Sequence, residues 1–566
     1  MILIADASKG GIIRHKGRGG RPKKAIIHVS MIAQRSPIMR VCPTILVVDS
    51  SSFFDSHYDV IIVGAALAGL SAALELSKAG KKILILEQHN LPGGVATSYV
   101  RGDTEIEAAL HEMMSIGEKE SPLQIRAFLE GHGVDIDWVR VPDAFRYVDD
   151  ETDIVIHSGK NGDIATPAKD IARACGEETE GEIYKKVLEF LSLCQRVDRS
   201  CKDLQANDRG TAYIALHHQD LAFTSGYDSK TVMEAFHLPK KAIDILSAYW
   251  IYLGTPASKL PFSAYAVVLS EYLGNGSYIP RHTSFEMSLK MAERVREMGV
   301  QIEYGQRVDK ILTDKKGIRG VRTASGVTIE ADVVLCGAYP NTVYARMLEG
   351  DYPLPKRKIQ ATHAKRLGVS AFSVILLLDK TAEELGINDY ATFLYLGGDH
   401  DEEAFEKGKT EGPYSYLACV CPNVIIDDAS QKGTCLYSMT YLPNGEAFAG
   451  VNEDNYAEIT RKNAAHFIES ASRFLGKNLR DHILEIATET PVSVAHYTGA
   501  FMGTIYGYSH NVDAHIVART MNKKDEANLP GLYFIGAHHI DGDGMAPVIN
   551  SGIHVAREVL KKGGRK

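Results

Sequence analysis

Asp59 to Gly94 reads DVIIVGAALAGLSAALELSKAGKKILILEQHNLPGG. Val60 to Val63 is a short β-branched run of the kind that fills a buried parallel strand; it breaks at Gly64, and helical spacing begins at Leu67. The turn Gly64-Ala65-Ala66-Leu67-Ala68-Gly69 has the form of a dinucleotide-binding fingerprint. Gly64 permits the tight turn, Gly69 lets helix and strand pack closely, and Ala66 stands where a second glycine lets backbone approach a pyrophosphate. Alanine adds one methyl there, so the amide-lined helix N-terminus that binds a diphosphate is expected to survive. A second strand, Lys82 to Leu86, runs into Glu87 and Gln88. A carboxylate at Glu87 suits the hydroxyls of an unphosphorylated adenosine ribose, which favours FAD or NAD over NADP. The glycine pair Gly93-Gly94 brings backbone close to a second segment of the ligand, a need of extended FAD more than of NAD.

Working outward, the totals bound the rest. At 566 residues the chain is too long for one core, and two structural domains are expected. Hydrophobic residues make up 45% and charged residues 24%, an ordinary globular composition, and a net charge of −8 argues against nucleic acid as a partner. No apolar run reaches the roughly 18 to 20 residues a membrane span requires, so membrane contact is expected to be peripheral at most. The eight cysteines lack metal-type pairing and read as reduced thiols of a cytoplasmic protein; Cys419 and Cys421 sit among Leu417, Ala418 and Val420 like strand residues. No metal site is expected. Residues 1–57 are set apart: Ala7 to Val48 holds nine Lys or Arg and no Asp or Glu. This reads as a basic, disordered arm, with organellar targeting as the second reading.

Downstream, Ile106-Glu107-Ala108-Ala109-Leu110-His111 places an acid and a histidine soon after the glycine pair. Thr283-Ser-Phe-Glu286 reads as a capping box opening a helix, followed by strand-like pieces at Val300–Tyr304, Val308–Leu312, Ile318–Thr323 and Val327–Glu330, then a buried strand from Ala331 to Cys336. Ala371 to Leu378 is a strong buried strand, Thr381 to Gly412 is charged and surface-like, and Tyr456 to Leu475 is a helix. The C-terminal part has a glycine-spaced aromatic segment, YTGAFMGTIYGY from Tyr497 to Tyr508, and a short strand ending at Gly536. His538, His539, Asp541 and Asp543 follow, then Gly544-Met545 and a helix rich in small residues. Two histidines and two acids could form a metal cluster, but the glycines between them, with the family resemblance set out below, favour a loop near the cofactor.

On these motifs the chain resembles the phytoene dehydrogenase, carotenoid isomerase and retinol saturase group of FAD-dependent oxidoreductases, within the wider amine-oxidase-like flavoproteins. The resemblance spans residues 58 to 562. It implies an α/β fold: a Rossmann-like FAD-binding domain of the two-dinucleotide-binding-domain flavoprotein type, with an inserted α+β substrate domain. The FAD domain is then assembled from 58–130, 262–345 and 495–566, and the substrate domain from 131–261 and 346–494. FAD is expected to be non-covalent, with Val308 offering its backbone to the adenine. The segments around Gly536, Gly544 and Met545 would lie near the flavin, the helix N-terminus favouring negative charge on its reduced form. His111 would lie over the isoalloxazine as a proton donor or positioning group, or else packs between helices. Arg281 and His282 replace a glycine pair common in the group, which points either to a polar group on the substrate or to a solvated helix start. Tyr506 is a further candidate catalytic residue from the aromatic segment.

The activity implied is hydride movement between flavin and carbons at a C=C bond of an apolar isoprenoid or polyene, as desaturation, saturation or isomerisation. With no nicotinamide motif, an external electron donor or acceptor is required. Alternatives are an isomerase or reductase of unsaturated fatty acids with Arg281 gripping the carboxylate, an amine oxidase, or a non-catalytic flavin-binding lipid carrier. Oligomeric state is not legible.

Overall fold

The computed structural model describes residues 54–207, 211–354, 356–511, 529–539, 542 and 544–563. Strand β1 (His57–Val63) leads through the glycine turn into helix α1 (Leu67–Ser77) and strand β2 (Ile83–Leu86). After a long excursion the chain returns as helix α2 (Thr283–Glu297), β3 (Gln301–Glu303), β4 (Val308–Asp314), β5 (Gly317–Thr323), β6 (Thr328–Cys336) and β7 (Leu348–Gly350). It returns again near its end as β8 (Leu532–Phe534) and α3 (Met545–Gly563). These strands form one sheet in the order β3-β2-β1-β6-β5-β4-β7, with β8 also paired to β6. Strands β3, β2, β1, β6 and β8 run parallel, as buried β-branched runs with covered faces do. Val60 pairs with Ile83 on one side and Val333 on the other. β4, β5 and β6 turn back on one another as an antiparallel meander.

A second sheet contains seven strands. In spatial order these are Ile483–Glu489, Phe372–Leu378, Cys435–Tyr441, Tyr416–Val420, Ala391–Tyr395, Asp143–Val148 and Asp153–His157. Its neighbours are antiparallel except for the parallel pair Ala391–Tyr395 and Asp143–Val148. The 25-residue helix Glu182–Ala206, the helix Phe262–Leu269 and the helix Tyr456–Leu475 pack with this sheet in one core that includes Trp250, Phe372 and Tyr416. Tyr456–Leu475 has the expected bounds, and Cys419 lies inside a strand as expected. Thr381 to Gly412 differs from expectation: it contains Ala391–Tyr395, buried along its whole length, because it is an inner strand paired on both edges, with Phe393, Leu394 and Tyr395 packed into the core. Leu348–Gly350 joins the edge of the first sheet, past residue 345.

The helix at residue 283 also starts differently from the capping-box reading. Thr283 has a φ of 74° and its hydroxyl donates to Glu105, while the first amide, Ser284 N–H, donates to Glu107 Oε2 at 2.7 Å. Glu286 pairs instead with Lys290 at 2.9 Å. A carboxylate from a distant hairpin thus does the capping that a local side chain was expected to do.

The ends of the chain close on each other through α1 and α3. Ser71 Oγ donates to the Ile549 carbonyl at 2.9 Å, and a Cβ added at Gly552 would lie 2.2 Å from both the Ala68 carbonyl oxygen and Ser71 Oγ. Gly552→Val is therefore expected to lower stability by about 1–3 kcal/mol through overpacking, seen as a lower midpoint in urea or thermal unfolding. Gly226, whose added Cβ would meet nothing within 4 Å, is the control: Gly226→Ala is expected to stay within about 0.5 kcal/mol of the parent.

Candidate active site

The glycine turn presents the N-terminus of α1 with no side-chain cap on Ala66, so its first amides remain available to an anionic ligand. Gly64 has a φ of 106°, and a Cβ on Gly69 would fall 2.1 Å from the Gly64 carbonyl, which accounts for both glycines. Ala66 is tolerated where a second glycine was expected because Gly94 faces it: a Cβ on Gly94 would come 3.0 Å from the Ala66 methyl. The two segments are joined by Gly93 N–H donating to the Ala65 carbonyl at 2.9 Å.

At the end of β2 the buried Glu87 carboxylate accepts from Ala65 N–H at 2.7 Å and His89 N–H at 2.8 Å. Gln306 N–H donates to the Glu87 carbonyl at 2.8 Å, and Leu84, Leu86 and Val308 share one core cluster. The structure thus brings Val308 to the same end of the sheet as Glu87. Gln88 is exposed. Gly536 N–H donates to Ser551 Oγ at 3.0 Å, which ties the end of β8 to α3.

Between the two sheets' elements lies a cavity of about 430 Å³. At one end it touches Ala66, Leu67, Gly93, Gly544 and Met545; at the other it is walled by aliphatic and aromatic groups including Tyr252, Val267 and Val268. His111 and Tyr506 both line it, and the Tyr506 hydroxyl donates to the Ile251 carbonyl at 3.0 Å. Burial pushes the His111 imidazole down to about 4, so it is neutral near pH 7. Its ring meets the Tyr252 ring edge-on at 6.5 Å.

The structure does not bring Arg281 or His282 to this cavity. Both line a smaller one, of about 150 Å³, where His282 is exposed. Arg281 is ion-paired with Asp137 at 2.7 Å, its side chain 38% exposed. A surface carboxylate already satisfies the guanidinium, which removes the reason to expect it to grip a substrate beside the glycine turn. Asp541 and Asp543 lie outside the described residues; His538 is buried and held neutral, pushed down to about 3 by burial and by the neighbouring His539. Among the described residues no group of three or more His, Cys, Asp or Glu could hold a metal ion.

Two acids in the cavity wall escaped the sequence reading. Glu112 is buried and accepts from the Tyr252 hydroxyl at 2.6 Å and from the Ser277 hydroxyl. Burial outweighs these bonds and raises its carboxyl to about 7. Glu489 faces the same space; burial raises it to about 8, the Tyr99 hydroxyl offsets part of the rise, and the Glu107 charge adds to it. Glu107 accepts from Ser284 Oγ at 2.7 Å and from the amides of Ala109 and Leu110 at 3.1 and 3.0 Å. The carboxylate therefore shapes the turn that presents His111. Adjacency to His111 was the available signal for Glu112; Glu489 had none, because the alternation in ILEIATE groups it with Glu485, opposite the apolar Leu484 and Ile486, which the fold leaves exposed.

Comparison with known proteins now gives this geometry its context. The model of the family described as flavin containing amine oxidoreductase matches residues 67–560. An all-trans-retinol 13,14-reductase of Danio rerio is 23% identical over 515 residues, covering 84% of this chain and 82% of its own. A chloroplastic prolycopene isomerase of Daucus carota is 21% identical over 526 residues, covering 89% and 80%. Among solved structures, cyclohexylamine oxidase from Brevibacterium oxydans superposes with a TM-score of 0.55 at 14% identity, over 90% of this chain and 100% of that one. That likeness shows the α/β flavoprotein fold.

The residues present fit a flavin nucleotide. The uncapped α1 N-terminus suits a diphosphate, Glu87 a ribose, and the glycine pair a close backbone approach. The buried Asn550 Oδ1, which lines the cavity at α3 without a protein hydrogen bond, offers an acceptor for a ligand N–H.

The raised carboxyl of Glu112 carries a pH signature. Its native form holds a proton that the unfolded chain has lost between the usual carboxylate range and about 7, so stability falls as pH rises through that window and levels off above it. The slope reaches about 1.4 kcal/mol per pH unit. In urea unfolding from pH 5 to 8, the stability of Glu112→Gln relative to wild type should rise with pH; a difference independent of pH would contradict a neutral Glu112.

Proposed function

The chain belongs to the flavin-containing amine oxidoreductase family, and from that premise we propose that it binds FAD non-covalently and acts on carbon–carbon bonds of an apolar, polyene-like small molecule. Bound flavin supplies hydride exchange at its N5. The protein's own residues hold the nucleotide and line up the chain of the substrate. The α1 amides and Glu87 would take the diphosphate and ribose, and the α3 N-terminus would favour electron density on the reduced ring. Val267, Val268 and Tyr252 exclude water along the substrate, and His111, Arg281, His282 and Tyr506 are retained as the catalytic candidates, with His111 and Tyr506 the better placed.

The observation that carries this reading is a long apolar cavity beginning at the nucleotide turn whose Glu112 and Glu489 are both held toward the neutral form. A mainly apolar cavity whose lining Lys202 is already paired with Asp198 and Glu271 suits a hydrocarbon chain. It does not suit an ammonium ion, which needs a carboxylate or an aromatic cage as partner, and the ion-paired Arg281 leaves a fatty-acid carboxylate unmatched. Both named relatives act, by their names, on polyenes. Among the described residues no helix is long and apolar enough to cross a membrane. On this reading the partners are an apolar small molecule and an external electron donor or acceptor, met in the cytoplasm or at a membrane surface.

The test is anaerobic incubation of the flavin-loaded protein, oxidised and reduced, with retinoid and carotenoid polyenes, followed by mass and retention analysis. A change of two hydrogens, or equal mass with altered retention, is the expected result; unchanged polyenes alongside an oxidised amine would overturn it. Acid precipitation should release all the flavin as FAD. Val267→Trp, which fills part of the cavity, should keep the yellow colour and lose at least about tenfold in kcat/KM.

A further inference from the structure

The two cavities share a wall. Ala108 to His111 form one part of it, and Ser373, Thr440 and Glu489 form the other, each of these residues bordering both spaces. The last three are cross-strand neighbours: Ser373 pairs with Glu489 on one side and Thr440 on the other, and the Ser373 and Thr440 hydroxyls are 2.9 Å apart. Two residues along the same face, Ile375 is flanked by Ala487 and Ser438, and Ile375, Ala487 and Leu436 cluster with Ile106. The polar trio Ser373, Thr440 and Glu489 thus lies where the two cavities meet, beside a largely aliphatic patch. The smaller cavity reaches exposed residues, His282 among them; the larger one also reaches exposed residues, Val95 and Gln124 among them, and runs to the nucleotide turn.

We propose that Glu489 is the proton-delivering residue of the reaction and that the smaller cavity is the path by which solvent restores its proton. This rests on the polyene reading above. For saturation, the Glu489 O–H bond, the hydride-donating N–H bond of reduced flavin and the C=C π bond would break while two C–H bonds form. The carboxyl proton goes to one carbon and the hydride equivalent from reduced flavin to its neighbour, leaving oxidised flavin and a Glu489 carboxylate. Two electrons from an external reductant and two protons, one taken up by the flavin and one by Glu489 from solvent, restore the starting state. Desaturation is the same exchange reversed.

The neighbouring groups favour Glu489 over the other candidates. It is faced by Tyr99, by Glu107, whose charge opposes ionisation, and by Ser373 and Thr440 on the adjoining strands; His111 shares the wall and is neutral. Glu112 borders the larger cavity alone, with both oxygens engaged by Tyr252 and Ser277. Glu489 therefore borders both spaces, whereas Glu112 borders one.

Glu489→Gln, Glu489→Asp and Ser438→Leu test the assignment, the last narrowing the smaller cavity from a position that does not border the larger one. With reduced flavin and a polyene in D₂O, Glu489→Gln should lower kcat about 10²-fold or more with KM little changed and lose the alkaline limb of the rate. Glu489→Asp should recover part of it, and Ser438→Leu should slow turnover without moving the limb. Independently of turnover, a protonated-carboxyl infrared band titrating near pH 8 should be present in wild type and absent from Glu489→Gln. An unaltered alkaline limb, or the same band in both proteins, would overturn the proposal. If wild type leaves every polyene unchanged, the functional reading falls, while the infrared band still decides whether Glu489 holds a proton at neutral pH.

Discussion

Backbone meets backbone where the last helix crosses the first: an added methylene at Gly552 would sit 2.2 Å from the Ala68 carbonyl. Such an approach is possible only between small residues, and Ala68, Ser71, Ser551, Gly552 and Ala556 supply them. Because α1 carries the glycine turn and α3 begins at Gly544 and Met545, this contact sets the spacing between the two helix N-termini that border the large cavity. The parallel register of β1, β6 and β8 fixes the same spacing from below. Any loosening of the crossing would widen the nucleotide end of the cavity before it disturbed the second sheet.

The second sheet contributes differently. Its strands bury aromatic and aliphatic groups on one face, and on the other they form one wall of the cavity near Glu489 and of the smaller space beside it. Three acids, Glu107, Glu112 and Glu489, sit within this region, and their environments separate them. Glu107 receives N–H and O–H donors from Ser284, Ala109 and Leu110; Glu112 receives two hydroxyls; Glu489 has the Tyr99 hydroxyl and a nearby negative charge. Burial raises all three, and donor number and neighbouring charge then set how far each carboxyl is moved.

Much of the first sheet was legible because its signals are local. A β-branched run, a glycine turn and a terminal acid lie within thirty residues, and each residue's role depends on its immediate neighbours. Tyr456–Leu475 was legible through helical periodicity for the same reason. The rest depended on long-range partners. Thr283 and Glu286 have the spacing of a cap, but Glu107 reaches the helix amide first. Ala391–Tyr395 lies in a charged stretch whose neighbours conceal a buried strand. Arg281 sits where the resembling family has glycine, and the spacing gave no hint that Asp137 would neutralise it. Glu489 drew no notice in sequence because its importance comes from two cavities that meet only after folding.

The order of segments along the chain has a consequence for synthesis. Residues 57–86 emerge from the ribosome early, but β8 and α3, which complete their sheet and cover α1, follow more than 440 residues later. Until then the nascent chain carries Leu67, Leu70 and Leu74 without their final cover, and no competent pocket exists for the nucleotide. The nucleotide end of the cavity is therefore complete only once the C-terminal segment has been made.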